Sequence, residues 1–219
     1  LAHSIGALLV VDNSLLSPAG SQPLKHGADI SVSSATKAID GHGRVMGGVL
    51  AGSEELMTQV AVYCNSCGLA MSPFNAWQLL SGVETLSLRM EKQFDNALKI
   101  AQWLQAQPQV QAVYYTGLPD HPQAELIRKQ QNGGGIVIGF EVADTDAAWK
   151  IVDSVELFSR TANLGDVRST ITHPWTTTHG RMQPEEKLAA NIRPGLVRLS
   201  VGLEYVDDLI DDLKQALAR

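Results

Sequence analysis

Three side chains stand where chemistry can be done. Asp12 ends the apolar run Ala7-Leu-Leu-Val-Val11, Lys37 ends Ser34-Ala-Thr-Lys37 directly after a second candidate strand, and Arg198 lies in the alternating stretch Val197-Arg-Leu-Ser-Val201. Ligands of parallel α/β folds bind at the carboxyl ends of strands, so Asp12 and Lys37 can share one crevice. An acid and an amine at one rim, with the hydroxyls of Ser34 and Thr36, suit pyridoxal phosphate. The amine condenses with the aldehyde, the carboxylate keeps the pyridine nitrogen protonated so that the ring accepts electrons, and the hydroxyls hold the phosphate. A nucleophilic lysine is activated by burial and a nearby cationic ring. Arg198 can hold an amino-acid carboxylate through two parallel hydrogen bonds, which a lysine cannot mimic. Each residue also has a plainer reading: Lys37 as a solvated lysine at a strand end, Asp12 as a helix cap or turn former, Arg198 as a strand-face charge paired with an acid.

The elements that must position them follow from periodicity. The run ending at Asp12 is apolar at every position, which suits a parallel strand covered on both faces. Asp29–Ser33 and Gly47–Ala51 read as further strands. A long helical pattern is expected from Pro73 to about Gln107, stopped by Pro108. Val110–Tyr115, Ile136–Glu141 and Val197–Val201 alternate like strands, and Thr145–Val155 and Tyr205–Leu217 carry helical spacing. The order is a parallel-type α/β part followed by an α+β part, with the boundary inside the long helix: residues 1–100 and residues 101–219.

The 219 residues are enough for one large domain or two small ones, with 44% hydrophobic and 18% charged residues. That excludes disorder, collagen-like repeats and a disulfide scaffold. Lys plus Arg number 17 against 23 Asp plus Glu, a net charge of −6, which gives no footprint for nucleic acid. No apolar run reaches membrane-helix length. Two cysteines lean toward a reducing cytoplasm. The chain opens at Leu1 in mid-rhythm and is read as part of a longer protein, a piece that exposes surface meant for the rest.

Several motifs in order carry a resemblance. Val11-Asp-Asn-Ser14, Ser34-Ala-Thr-Lys37, Met71-Ser-Pro-Phe-Asn-Ala-Trp77, Gly117-Leu-Pro119 and Val197-Arg-Leu-Ser-Val-Gly-Leu-Glu204 resemble the Cys/Met-metabolism family of pyridoxal-phosphate enzymes over the whole chain. The resemblance implies part of an aspartate-aminotransferase-like (fold type I) large domain, with the Schiff-base lysine, followed by a smaller α+β C-terminal domain. It implies Lys37 as the catalytic, cofactor-bearing lysine, Asp12 at the pyridine nitrogen and Ser34 and Thr36 at the phosphate. Arg198 holds the substrate carboxylate, helped by Asn163 and Leu164. Ala35–Arg44, Ala162–Arg168, Ile171–Pro174 and Thr176–Arg181 are most similar to the O-succinylhomoserine sulfhydrylase branch. That branch replaces succinate with sulfide at the γ carbon to give homocysteine; cystathionine γ-synthase and cystathionine or methionine γ-lyase are the near alternatives. His42 stands where Gln is commoner, and Trp175 where a small residue is commoner. The family implies a cytoplasmic homotetramer acting on an amino-acid substrate. Because the family's phosphate loop, stacking tyrosine and neighbour-subunit groups lie outside this sequence, the piece alone is expected to be inactive, with only a structural role as the further alternative.

Other candidates read more plainly. Cys64 and Cys67 are taken as incidental thiols, since no second pair completes a zinc site. His173 and His179 have no metal-site spacing and are expected to order a loop near the substrate. Gly133-Gly-Gly135 reads as a strand-entry turn, Arg44 as a salt-bridge partner, and Met46 and Trp77 as core. Asp207, Asp208, Asp211 and Asp212 read as the wet face of the last helix.

Overall fold

The computed structural model describes residues 1–219. Its first sheet orders β1 (Val10–Asp12), β2 (Ile30–Ser34) and β3 (Gly48–Gly52), with β1 parallel and β3 antiparallel to the central β2. The link from β1 to β2 passes through the short helix α1 (Ser17–Gly20). α2 (Glu54–Ser66) follows β3, its first turn capped by the Ser53 hydroxyl. α3 (Pro73–Glu84) starts with Pro73 behind a Ser72 cap, and α4 (Leu86–Gln105) runs on to the second sheet.

The remaining elements in chain order are β4 (Ala112–Tyr114), α5 (Ala124–Gln130), β5 (Val137–Glu141), α6 (Thr145–Ser154), β6 (Ser159–Arg160), β7 (Thr170–Thr172), α7 (Pro184–Ala189), β8 (Leu196–Ser200) and α8 (Val206–Leu217). The second sheet has the spatial order β4-β5-β8-β7-β6, antiparallel except between β6 and β7.

The larger core lies under this second sheet. Ile138 and Phe140 of β5 and Val197 and Leu199 of β8 pack with Ala97, Ile100 and Leu104 of α4, Ile151 of α6 and Leu209 and Leu213 of α8. A smaller cluster gathers Ala35, Ala38, Ile39, Leu79, Leu86 and Met90 beneath the Lys37 turn. α4 therefore serves both, its first half in the small cluster and its second half in the large one.

Several expectations are corrected. Within residues 1–219 the apolar run before Asp12 pairs only from Val10 on, and Leu8 and Val10 are more than half exposed. Within this chain β1 is the outer strand of the three-stranded sheet. The long helical pattern is two helices, broken at Thr85, whose backbone (φ −109°, ψ 5°) is not helical. Met46 and Trp77 are not core; they are 76% and 60% exposed. Asp212 is not on the wet face. It is buried and accepts N–H bonds from Glu156, Leu157 and Phe158 at 2.9, 2.9 and 3.3 Å. Asp212→Ala strands those donors and is expected to lower the stability of the intact protein by about 2 kcal/mol, readable as a fall in the urea midpoint at unchanged slope. No helix is long and apolar enough to cross a membrane.

Candidate active site

Lys37 owes its position to the turn that follows β2. The chain winds into a wide helical turn, Ala35–Ile39, closed by the Asp40 N–H donating to the Ala35 carbonyl. Ala35, Ala38 and Ile39 are buried and anchor it, while the backbone leaves helical geometry at Lys37 itself (φ −88°, ψ −123°). Asp12 ends the neighbouring parallel strand, opposite Val32, so both carboxyl ends open on the same side. The Ser14 N–H donates to Asp12 Oδ1 at 2.9 Å, and the Ser14 hydroxyl accepts from the Ser34 N–H at 2.7 Å, which ties the two strand ends together.

Asp12 and Lys37 line one cleft of about 590 Å³, with Ser14, Leu16, Thr116 and Leu164 among its walls. That volume lies in the range of small-molecule sites. The Ser14 hydroxyl and N–H, and then the Lys37 charge, hold the Asp12 carboxyl below its usual range. It is therefore an anion near neutral pH, the state needed to keep a pyridine nitrogen protonated.

Arg198 reaches this cleft through a strap of chain. Val197 and Leu199 point into the core, so Arg198 and Ser200 face the other side of β8. Against that face lies Ala162–Gly165: Arg198 Nη2 donates to the Ala162 carbonyl at 2.7 Å, and the Gly165 N–H donates to Ser200 Oγ at 3.0 Å. Gly165 is demanded on two counts. Its φ is +84°, and a Cβ there would lie 2.9 Å from both Lys37 Cβ and the Ala38 nitrogen. The strap thus lies on the Lys37 backbone and carries Leu164 into the cleft. Arg198 has no acidic partner, burial depresses its pKa, and its Nε is buried without a hydrogen-bond partner. A desolvated guanidinium with an idle donor fits a ligand carboxylate, and the plainer reading of Arg198 as acid-paired does not hold.

The other expected residues are less converged. Ser34 engages through its N–H and leaves its hydroxyl uncommitted. Thr36 Oγ1 accepts from the Gly47 N–H at 3.1 Å and lies 3.4 Å from the Gly47 carbonyl. Neither residue lines the Asp12–Lys37 cleft, nor do Asn163 and Arg198. Sequence reasoning gave no role to Ser14, Gly165 or Ser200. The only signal for Ser200 is its place two residues beyond Arg198 on one strand face.

Arg44 pairs with the fully buried Asp40 at 2.9 Å, and Cys64 and Cys67 are free thiols. No group of three or more His, Cys, Asp or Glu side chains is placed to hold a metal ion. The loop after β7 starts beside Arg198, since Thr172 pairs with it in the sheet. Its Trp175 lies under Lys187 Nζ, 4.7 Å from the ring centroid. His173 is wholly buried between Thr176 Oγ1 (2.8 Å) and the Pro194 carbonyl (2.7 Å). Burial pushes its imidazole below the ordinary value, so the folded chain holds it neutral. The unfolded chain takes up that proton at about pH 6.5, so this contribution to stability is full above that pH and is lost as pH falls through the lower folded value. Thermal unfolding from pH 8 to 5 is expected to show that loss, reduced in His173→Gln.

An ionised carboxylate and a lysine lining one cleft after neighbouring parallel strands, with a guanidinium free of acidic partners holding the strap that walls it, fit the class of α/β enzymes that work through pyridoxal phosphate. The chain belongs to the Cys/Met-metabolism family of pyridoxal-phosphate-dependent enzymes, whose family model matches residues 1–218. It is 51% identical over 219 residues to the O-succinylhomoserine sulfhydrylase of Pseudomonas aeruginosa, covering 100% of this chain and 54% of that protein. The cystathionine γ-lyase structure from Micromonospora echinospora superposes with a TM-score of 0.95 at 37% identity, covering 100% of this chain and 58% of that one. The cystathionine γ-synthase structure from Xanthomonas oryzae pv. oryzae, in complex with aminoacrylate and cysteine, gives 0.95 at 41% identity, with 99% and 57% covered. The chain spans about half the length of the curated relatives it matches. The fold is that of these enzymes.

Proposed function

We propose that this chain carries the cofactor lysine and the carboxylate-binding arginine of an enzyme that replaces the succinyloxy group of O-succinylhomoserine with sulfide, releasing succinate and homocysteine. Residues 1–100 serve cofactor binding and residues 101–219 form the smaller α+β part. The observation that carries the reading is the shared cleft of Asp12 and Lys37, walled by the strap that Arg198 and Ser200 hold. The identity with the Pseudomonas sulfhydrylase supports the choice of acyl group and nucleophile.

Bound pyridoxal phosphate supplies an electron sink beside the substrate α carbon. Asp12 would keep the proton on the ring nitrogen, and Ser34 and Thr36, outside the cleft that Asp12 and Lys37 line, would offer their hydroxyls to the phosphate. Lys37 Nζ would bind the aldehyde carbon and, once freed, would take protons from the α and β carbons as succinate leaves the γ carbon, and would return them to the β and α carbons after sulfide has bonded to the γ carbon. Arg198 fixes the substrate carboxylate by two charge-assisted hydrogen bonds, with Asn163 and Leu164 flanking it.

Cystathionine γ-synthase and γ-lyase activities are the alternative, since structures with those names superpose closely. The test crosses succinyl- and acetyl-homoserine with sulfide and cysteine in the intact protein, and adds cystathionine alone. The highest kcat/KM is expected for the succinyl ester with sulfide. Preferred formation of cystathionine, or its cleavage, would displace the sulfhydrylase reading.

A further inference from the structure

The turn that carries Lys37 is gripped from outside by a residue with no part in the chemistry above. Arg89 projects from the first turn of α4 and is 5% exposed. Its Nη1 donates to the Ala38 carbonyl at 2.9 Å, and its Nη2 to the carbonyls of Ile39 at 3.2 Å and Gly82 at 2.7 Å. Its Nε donates to the Thr85 hydroxyl at 3.1 Å. Ala38 and Ile39 directly follow Lys37, while Gly82 and Thr85 form the corner between α3 and α4. One guanidinium therefore joins the lysine turn to that corner.

No acid touches this charge. Asp40, the carboxylate whose field it feels, is committed to Arg44. A buried cation is tolerated only when its donors are satisfied, and here four oxygens do that in the plane only a guanidinium offers. The corner has no slack: a Cβ on Gly82 would lie 2.3 Å from the Ile39 carbonyl oxygen. The backbone departs from helical geometry at Lys37. The direction in which that side chain leaves is thus set by what holds the next two peptide groups.

We propose that Arg89 is a positioning residue for Lys37, fixing the line along which its amine meets the cofactor aldehyde and the substrate carbons. The proposal rests on the reading of Lys37 as the cofactor lysine. It is tested in the intact protein with Arg89→Lys, which keeps the charge but loses the fork, and with Thr85→Val, which removes only the hydroxyl that orients Nε. Three quantities are read: the rate at which cofactor-free enzyme condenses with pyridoxal phosphate, trapped by borohydride on the Lys37 peptide; the split of kcat from KM; and the melting temperature.

Arg89→Lys is expected to slow condensation and lower kcat by about 10- to 100-fold with KM nearly unchanged, the size of effect that small misplacements produce. Thr85→Val is expected to act in the same direction by about threefold, the loss of one weak hydrogen bond. Condensation and kcat at parental values in folded variants would overturn the proposal. So would losses that merely track the unfolded fraction. Should Arg89→Lys not be recovered folded, Thr85→Val decides: slower condensation at an unchanged melting temperature supports the proposal, and unchanged condensation overturns it. Cofactor still trapped at another lysine in Lys37→Ala would sink the underlying reading instead, whatever the Arg89 variants do.

Discussion

Lys37→Ala in the intact protein is expected to abolish the pyridoxyl adduct that borohydride traps on this segment and to lower turnover by about 10⁴-fold, the upper end for loss of a positioned proton-transfer group. Two jobs disappear together, because the amine that holds the aldehyde is also the base that reaches the substrate carbons. Lys37→Arg separates these from electrostatics. It restores a cation beside Asp12, which that carboxylate feels, but a guanidinium does not give up its proton. Turnover should stay as low as in the alanine variant. Less than tenfold loss in Lys37→Ala, measured with sulfide and O-succinylhomoserine, would remove this lysine from the mechanism.

Arg198→Ala is expected to lower kcat/KM for the amino-acid substrate by about 10²- to 10³-fold, since two charge-assisted bonds at about 1.5 kcal/mol or more each are lost. The loss should appear mainly in KM, while condensation of the cofactor with Lys37 keeps its rate, because Arg198 does not line the cleft that Asp12 and Lys37 share. Arg198→Lys should recover little, for an ammonium cannot engage both oxygens in one plane. An unaltered KM in either variant would return Arg198 to a structural bond with the Ala162 carbonyl.

The shared cleft of Asp12 and Lys37 was legible because both residues stand where strands end. Asp12 closes β1 and Lys37 sits in the turn just beyond the end of the parallel β2, which turns both toward one opening. The outward face of Arg198 was equally readable from Val197 and Leu199, both fully buried. Arg89 was not legible. It falls on the buried face of α4 with Leu86, Met90 and Gln93, and an arginine reads as a surface charge until its carbonyl partners are known. α2 escaped notice for the opposite reason: none of its residues is buried, so it carries no stripe. Asp212 could have been found. It shares the helical phase of Leu209, Leu213 and Ala216, all buried, whereas the acids at 207, 208 and 211 lie off that phase.

The strap at residues 162–165 has a mechanical consequence. It is pinned at one side to the strand bearing the guanidinium and pressed, without room for even a methyl group, onto the backbone of the amine-bearing residue. In the function proposed above, the strand that seats the incoming amino acid and the lysine that reacts with it are joined across a few atoms. With the strap intact, arrival of the right ligand and readiness to react would be a single event; loosening it at either end should separate the two.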